Sequence, residues 1–416
     1  MLSLKKKNTG TVGLDVEAGS VAATEVRSNG HVAVTRYGVL PLGPGVSREG
    51  EVTDPQELGA ALKQLFAEHQ LSKSVRLGVA NQRVAVRTLR LPPIENRSEL
   101  ETAIRFQAQD HIPMPLDQAV LDWQVVGRGT NPAGDEYIEV VTVAARRDMV
   151  GGALEALRLA GLRPVGIDHA AFGMIRALAG EPHAAVGTAT YVDAPDDVAP
   201  GEGTSGYEGA PSYPEAPGYQ GAPSEYQAAP SEPATVGTDP AGAIDAQMPI
   251  VPAPAKLYCN LGDVTNLAVA RGSDCLFTRI AAFGVEGIAQ RLAERRQLTL
   301  EHARQWLTHV GLESPTEGVD GDPETVGAAR DALLEGASRL ADELRLSLEF
   351  YAAQEAAVPV SGVVACGPGT TIPGLAERVQ RELGQHVEIG RPAALAHLED
   401  GAAARLTLSY GLALEE

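Results

Sequence analysis

The chain has 416 residues, long enough for two or three domains each with its own core. Aromatics make up only 4% of it, so any core must rest on Leu, Val, Ile and Ala. A formal charge of −20 argues against a nucleic-acid surface, whose phosphates require the opposite sign. No apolar run approaches the roughly 18 residues of a membrane span. The N-terminal MLSLKKKNTG carries a basic cluster, Lys5-Lys6-Lys7, without the apolar stretch of a signal peptide. A cytoplasmic protein is expected, and the three lysines read as a solvated tail rather than a lipid anchor.

In chain order, strands are expected at Val12–Glu17, Val21–Arg27 and His31–Leu40, forming a meander. The first turn, in GLDVEAGSVAATEV, reads equally as an ordinary hairpin bend or as a phosphate-binding one, since Gly19 and Ser20 permit converging backbone N–H groups to approach an anion. A helix follows from Asp54, with Pro55 at its first position and Glu57 closing a capping box. Leu58, Ala61, Leu62, Leu65 and Phe66 fall on one face of it. A strand at Val75–Ala80 comes next.

Residues 83–146 read as a compact strand–helix–strand–strand unit. RVAVRTLRLP alternates as a strand, and Ser98 and Glu101 form the capping box of the helix SELETAIRFQAQDHI. Strands at Ala119–Val126 and Tyr137–Ala145 complete it. Helices at Met149–Leu159 and His169–Leu178 close this half of the chain.

From Arg176 to Lys256 there is no Lys or Arg, and about eleven acids lie between Glu181 and Asp245. Residues 183–255 are rich in Pro, Gly, Ala, Ser and Glu and carry a degenerate repeat, GYEGAPSYPEAP then GYQGAPSEYQAAP. Such composition buries too little apolar area to offset the entropy of ordering, so a disordered tether is expected. Its spaced tyrosines, Tyr207, Tyr213, Tyr219 and Tyr226, are either plain spacer or contacts for a partner.

Beyond it come strands at Lys256–Leu261, Asn266–Arg271 and Cys275–Ile280, with a second bend in CNLGDVT. Helices follow at Val285–Arg296 and Leu300–Val310. The longest helix is capped by Asp322 and started by Pro323, with a stripe of Leu333, Ala337, Leu340, Leu344, Leu348 and Tyr351 that reads as core. VSGVVAC then runs into GPGTTIPG and the helix LAERVQREL, a Gly-rich turn at a helix start where a nucleotide can dock. Cys259, Cys275 and Cys366 are scattered in apolar strand context and read as reduced thiols.

The order loop, long excursion, loop, long helix, Gly-rich turn resembles the actin-like ATPase fold. Within it, the chain resembles the type IV pilus assembly protein PilM family, relatives of the cell-division protein FtsA. GLDVEAGSVAATEV is similar to that family's first phosphate loop. FQAQDHIPMPLDQAVLDWQVVG (Phe106–Gly127) is the most distinctive match, and IPGLAERVQREL and TLSYGLAL resemble the nucleotide-side turn and closing helix. The resemblance implies two lobes: residues 1–82 and 147–182 as the first core, 83–146 as an inserted α+β module, 183–255 as tether, and 256–416 as the second lobe, with its last helix either kept there or returned to the first.

It also implies a nucleotide site at Asp15, Gly19, Ser20, Asn260, Gly262, Thr265, Gly367 and Gly369, with Asp15 toward Mg²⁺. The chain departs from the family pattern there. The lysine after Ser-Val is Ala22, the acid of the second loop is Asn260, the nucleoside-side pair is Arg304 and Leu307, and the second glycine of the last turn is Pro368. Each lost charge-assisted bond to phosphate is worth about 1.5–3 kcal/mol. Weak binding of ATP and Mg²⁺ and negligible hydrolysis are expected, with neither ligand required.

The implied function is a cytoplasmic scaffold at the inner face of the cytoplasmic membrane. It would bind the N-terminal tail of PilN, a bitopic partner, between the first core and the module, and meet other pilus components, touching the membrane only through its partner. The alternatives are a small-molecule kinase of the same fold, with Asp168 as a base, and an FtsA-like filament former. The short acidic SYGLALEE speaks against the latter's basic terminal helix.

Overall fold

The computed structural model describes residues 10–28, 32–131, 133–179, 184–185, 254–354 and 357–414. The lysine cluster, and the tether apart from residues 184–185 and 254–255, lie outside these residues.

The first lobe starts as the expected meander. β1 (Thr11–Val16), β2 (Ser20–Ser28) and β3 (Val32–Pro41) pair antiparallel in sequence. A small hairpin, β4 (Ser47–Arg48) and β5 (Glu51–Val52), leads into α1 (Pro55–Glu68). The Asp54 carboxylate accepts from the N–H groups of Gln56 and Glu57, as an N-cap should. The reciprocal half of the expected box is not needed, because the Asp54 N–H donates to the Val46 carbonyl at 3.2 Å. β6 (Ser74–Val79) then joins β1 in parallel.

The inserted module consists of β7 (Val84–Leu91), α2 (Arg97–His111), β8 (Ala119–Thr130) and β9 (Glu136–Arg146), with sheet order β7-β9-β8. It has its own core, in which Leu89, Leu100, Ile104, Ala108 and Val140 are buried together. Two expectations are corrected here. β8 runs on to Thr130 past a bulge between Val125 and Gly127. The cap of α2 is Asn96, whose Oδ1 accepts from the N–H groups of Ser98 (2.9 Å) and Glu99 (3.4 Å), so Ser98 and Glu101 form no box. Asn matches Ser as an N-cap, and here it stands two residues earlier. Asn96→Ala is accordingly expected to cost about 1 kcal/mol in urea unfolding, and Ser98→Ala to be near neutral. Equal losses at both positions would restore the original assignment.

The lobe closes with α3 (Arg147–Leu159), β10 (Arg163–His169) and α4 (Ala170–Leu178). Sequence reading missed β10, because RPVGIDH lacks alternation. It pairs parallel with β6 and gives the sheet order β10-β6-β1-β2-β3. α1 and α3 cover one face of this sheet through Leu58, Leu62, Leu65, Ala156 and Leu157.

The second lobe repeats the plan. β11 (Ala184–Ala185) lies at one edge; β12 (Ala255–Leu261), β13 (Thr265–Arg271) and β14 (Asp274–Ala281) form another antiparallel meander. α5 (Val285–Arg296), α6 (Leu300–Val310) and α7 (Pro323–Ala352) follow. β15 (Val360–Cys366) pairs parallel with β12; after α8 (Leu375–Leu383), β16 (Val387–Ile389) pairs parallel with β15. The order β14-β13-β12-β15-β16 therefore matches β3-β2-β1-β6-β10 strand for strand. The stripe of α7 is core: Leu333, Ala337, Leu340 and Leu344 are fully buried with Leu257, Leu267 and Ile288, and Leu348 is partly so.

The last helix, α9 (Asp400–Ala413), crosses back onto β1 and β2 of the first lobe. Its Ser409 hydroxyl meets that of Thr24 at 2.7 Å, the Arg76 guanidinium donates to the Leu414 carbonyl at 2.5 Å, and Arg176 donates to the Gly411 carbonyl at 3.1 Å. A shared core of α4, α9 and the cleft faces of both sheets, including Ala22, Met174, Tyr258, Val364 and Leu406, joins the lobes.

Candidate functional site

β1 and β12 occupy matching places in their sheets, and each ends in a polar turn. Asp15 stands second from the end of β1 and Asn260 second from the end of β12. The turns that follow, Glu17–Gly19 and Gly262–Val264, face one another across the cleft. The Ala18 N–H donates to Asp263 Oδ2 at 2.9 Å, over 245 residues of chain. Asp263 Oδ1 accepts from the N–H of Val264 at 2.7 Å. One carboxylate thus bridges the two turns, one oxygen to each.

Glycines make this approach possible. A Cβ on Gly262 would lie 2.2 Å from the Glu17 carboxyl oxygen and 2.8 Å from the Asn260 amide nitrogen. One on Gly19 would lie 2.6 Å from the Arg304 guanidinium carbon. Arg304 is held there by Glu286 through two bonds of 2.8 and 2.6 Å. Gly367, at φ +85°, passes the Asn260 side chain so closely that a Cβ would meet its oxygen at 2.0 Å.

The electrostatics are those of an acid cluster withdrawn from water. Burial, with the nearby charge of Asp263, pushes Asp15 up to about 7. Burial likewise raises Asp263 to about 6, against the two N–H groups that favour its charged form. Glu17 is raised well above the ordinary range by burial and by both neighbouring acids, with Arg405 and Asn260 opposing. Carboxyls displaced in this way concentrate at functional sites, because an ordinary core has no use for them.

The remaining expected site residues are placed as follows. Ser20 opens β2, nearly buried, and its carbonyl accepts from the Glu17 N–H at 2.9 Å. The Thr265 hydroxyl is buried and donates to the Phe283 carbonyl at 2.7 Å. Gly369 lies against Leu261 in the short turn that Pro368 begins. Ala22 pairs with Asp15 across β1 and β2 and packs into the core between the lobes. Arg304 points at the first turn, while Leu307 belongs to the second lobe's core. The structure therefore gathers Asp15, Gly19, Asn260, Gly262 and Gly367 around one cleft, and leaves Thr265 supporting it from behind. Sequence reading missed Glu17, Asp263 and Glu286. The first two stand inside the quoted loops, but nothing local shows that closure of the lobes buries them.

In this arrangement the Ala18 N–H is bonded to Asp263, Arg304 lies over Gly19, and Pro368 has no N–H to give. Among the described residues, no three His, Cys, Asp or Glu side chains converge to hold a metal ion. Asp168, the residue considered as a kinase base, is mostly buried and paired with Arg176.

Two sheets of matching order, with facing loops at a cleft and a module inserted in the first lobe, define a two-lobed α/β protein of the actin-like ATPase fold. A chain of a PilM-PilN type IV pilus biogenesis complex is similar across 98% of this chain and 98% of that one, with a TM-score of 0.67 at 23% identity. Looser likenesses are the ethanolamine utilization protein EutJ from Carboxydothermus hydrogenoformans (TM-score 0.47, 11% identity, 97% and 88% covered) and MreB5 of Spiroplasma citri (0.43, 11%, 96% and 94%). Residues 13–184, the first lobe with its module, match the family model of type IV pilus assembly protein PilM.

Proposed function

We propose that this protein is a cytoplasmic adaptor of type IV pilus assembly. It binds the N-terminal tail of a PilN-type inner-membrane partner in the groove between the first lobe and the module, and its nucleotide pocket is degenerate. The observation that carries this reading is the family match over residues 13–184, which spans both walls of that groove. The geometry there supports it. Ala145, Met149 and Val150, with Val84 and Ile167, form a small apolar cluster at the module's foot. A polar crevice near the same root is lined by Arg48, Glu51, Asn81, Gln82 and Arg83 of the first lobe and by Val264 and Ala282 of the second. The charged side chains of this crevice suit the polar positions of an extended peptide. Among the described residues no helix is long and apolar enough to cross a membrane, so attachment through the partner is consistent with the chain.

The test uses the full chain and a labelled peptide of the partner's cytoplasmic tail, read by fluorescence anisotropy. Because the module has its own core, replacing residues 84–145 by a short linker is expected to abolish binding while the remainder still melts cooperatively. Arg83→Glu reverses a charge at the groove without touching a core and is expected to weaken binding about tenfold. Unchanged affinity in both variants would remove the groove from the proposal.

A further inference from the structure

We infer that Asp263 is an internal anion plug: its carboxylate occupies the anion-accepting N–H of the first loop and latches the two lobes together. The inference rests on the reading of the pocket as degenerate and supplies a cause for it beyond the substitutions in the loops.

The geometry has three parts, all centred on the turn Glu17–Ala18–Gly19. From the second lobe, Asp263 takes the Ala18 N–H at 2.9 Å while its other oxygen stays on Val264 in its own loop. In the opposite direction, the Glu17 side chain reaches across to Gly262 and Asn260. Arg304, anchored by Glu286, closes over Gly19. A turn whose N–H points into a cleft, followed by a glycine, can take an anion. Here the anion is a side chain of the same molecule, present at an effective concentration that a free ligand cannot match. Asp263 is also one residue beyond Gly262, whose missing Cβ lets Glu17 in; a bulkier residue there would hold the loops apart. A polyphosphate arriving at this cleft has to displace Asp263, and with it the contact that holds the lobes.

The test reads the latch directly, through amide hydrogen exchange at Ala18 in the full chain without added ligand. Asp263→Ala is expected to speed Ala18 exchange at least about tenfold. The Glu17 N–H, bonded within the loop to Ser20, and the paired strand amides of β1 and β2 should keep their protection. Asp263→Asn, which retains a weaker acceptor of the same shape, should give a smaller increase and guards against loss of fold in the alanine variant. Unaltered Ala18 exchange in both variants overturns the inference. Titration of the wild-type protein with Mg-ATP and with magnesium tripolyphosphate separates this from the underlying reading. Micromolar binding there defeats the degenerate pocket even if Asp263 proves to protect Ala18. With no such binding in the wild type, tripolyphosphate is expected to restore Ala18 protection in Asp263→Ala.

Discussion

Gly13→Ala is expected to lower the melting temperature by about 10 °C, and Gly13→Val to prevent the first lobe from folding. Gly13 lies in mid-strand in β1, where an extra methyl is ordinarily welcome. Here a Cβ would stand 1.9 Å from the Ser409 carbonyl oxygen and 2.5 Å from the Ala413 N, both backbone atoms of α9. Neither can yield by a rotamer change, so the helix must move away from the sheet. That movement would separate the Thr24–Ser409 pair and the Arg76–Leu414 bond, and loosen the core shared by the lobes. Overpacking usually costs about 1–3 kcal/mol, and a clash between two backbones belongs at or above the top of that range. A circular-dichroism melt within about 2 °C of wild type would mean that α9 does not rest on β1. The opening glycine of GLDVEAGS thus has a packing duty as well as its place in a loop pattern.

Asp15→Asn should act in the opposite direction and stabilise the protein, on the order of 3 kcal/mol at pH 8. The folded protein holds the Asp15 proton up to about pH 7, against an ordinary carboxyl value of 3.8. Between these values the folded state binds a proton that the unfolded state has released. Stability contributed at this site therefore falls as pH rises through the window, and the whole penalty is in place above it. Asparagine keeps the shape and removes the penalty. The gain over wild type, measured by denaturant unfolding, should be larger at pH 8 than at pH 5. Asp263 and Glu17 are displaced in the same direction, so each charged carboxylate carries a desolvation penalty in the closed cleft. A gain of equal size at both pH values would place the Asp15 carboxyl in contact with water. Buried acids that cost stability are kept where a site needs them, which marks this cleft as more than a packing interface.

Much of the architecture was legible because it is written in local chemistry. Asp54-Pro55 and Asp322-Pro323 announce helix starts that the structure keeps, and the stripe from Leu333 to Tyr351 is buried as its spacing requires. Strands whose alternation is clean were placed within a residue or two, except β8, which runs past its bulge to Thr130. β10 and β16 were not, since RPVGIDH and VEI are short and irregular and become strands only when a parallel neighbour supplies hydrogen bonds. Likewise Asn96 prevailed over Ser98 as a cap because the chain enters α2 two residues earlier than the box pattern suggested.

The sequence by itself determined the two loops, the module between them and the family model that residues 13–184 match, because these are patterns of neighbouring residues. Only the tertiary structure decided what the loops meet. Asp263 and Ala18 are 245 positions apart, Arg304 reaches Gly19 from another lobe, and α9 returns to lie on Gly13. Burial of Asp15, Glu17 and Asp263 follows from that closure, and desolvation is a property of the assembled cleft that no single segment carries.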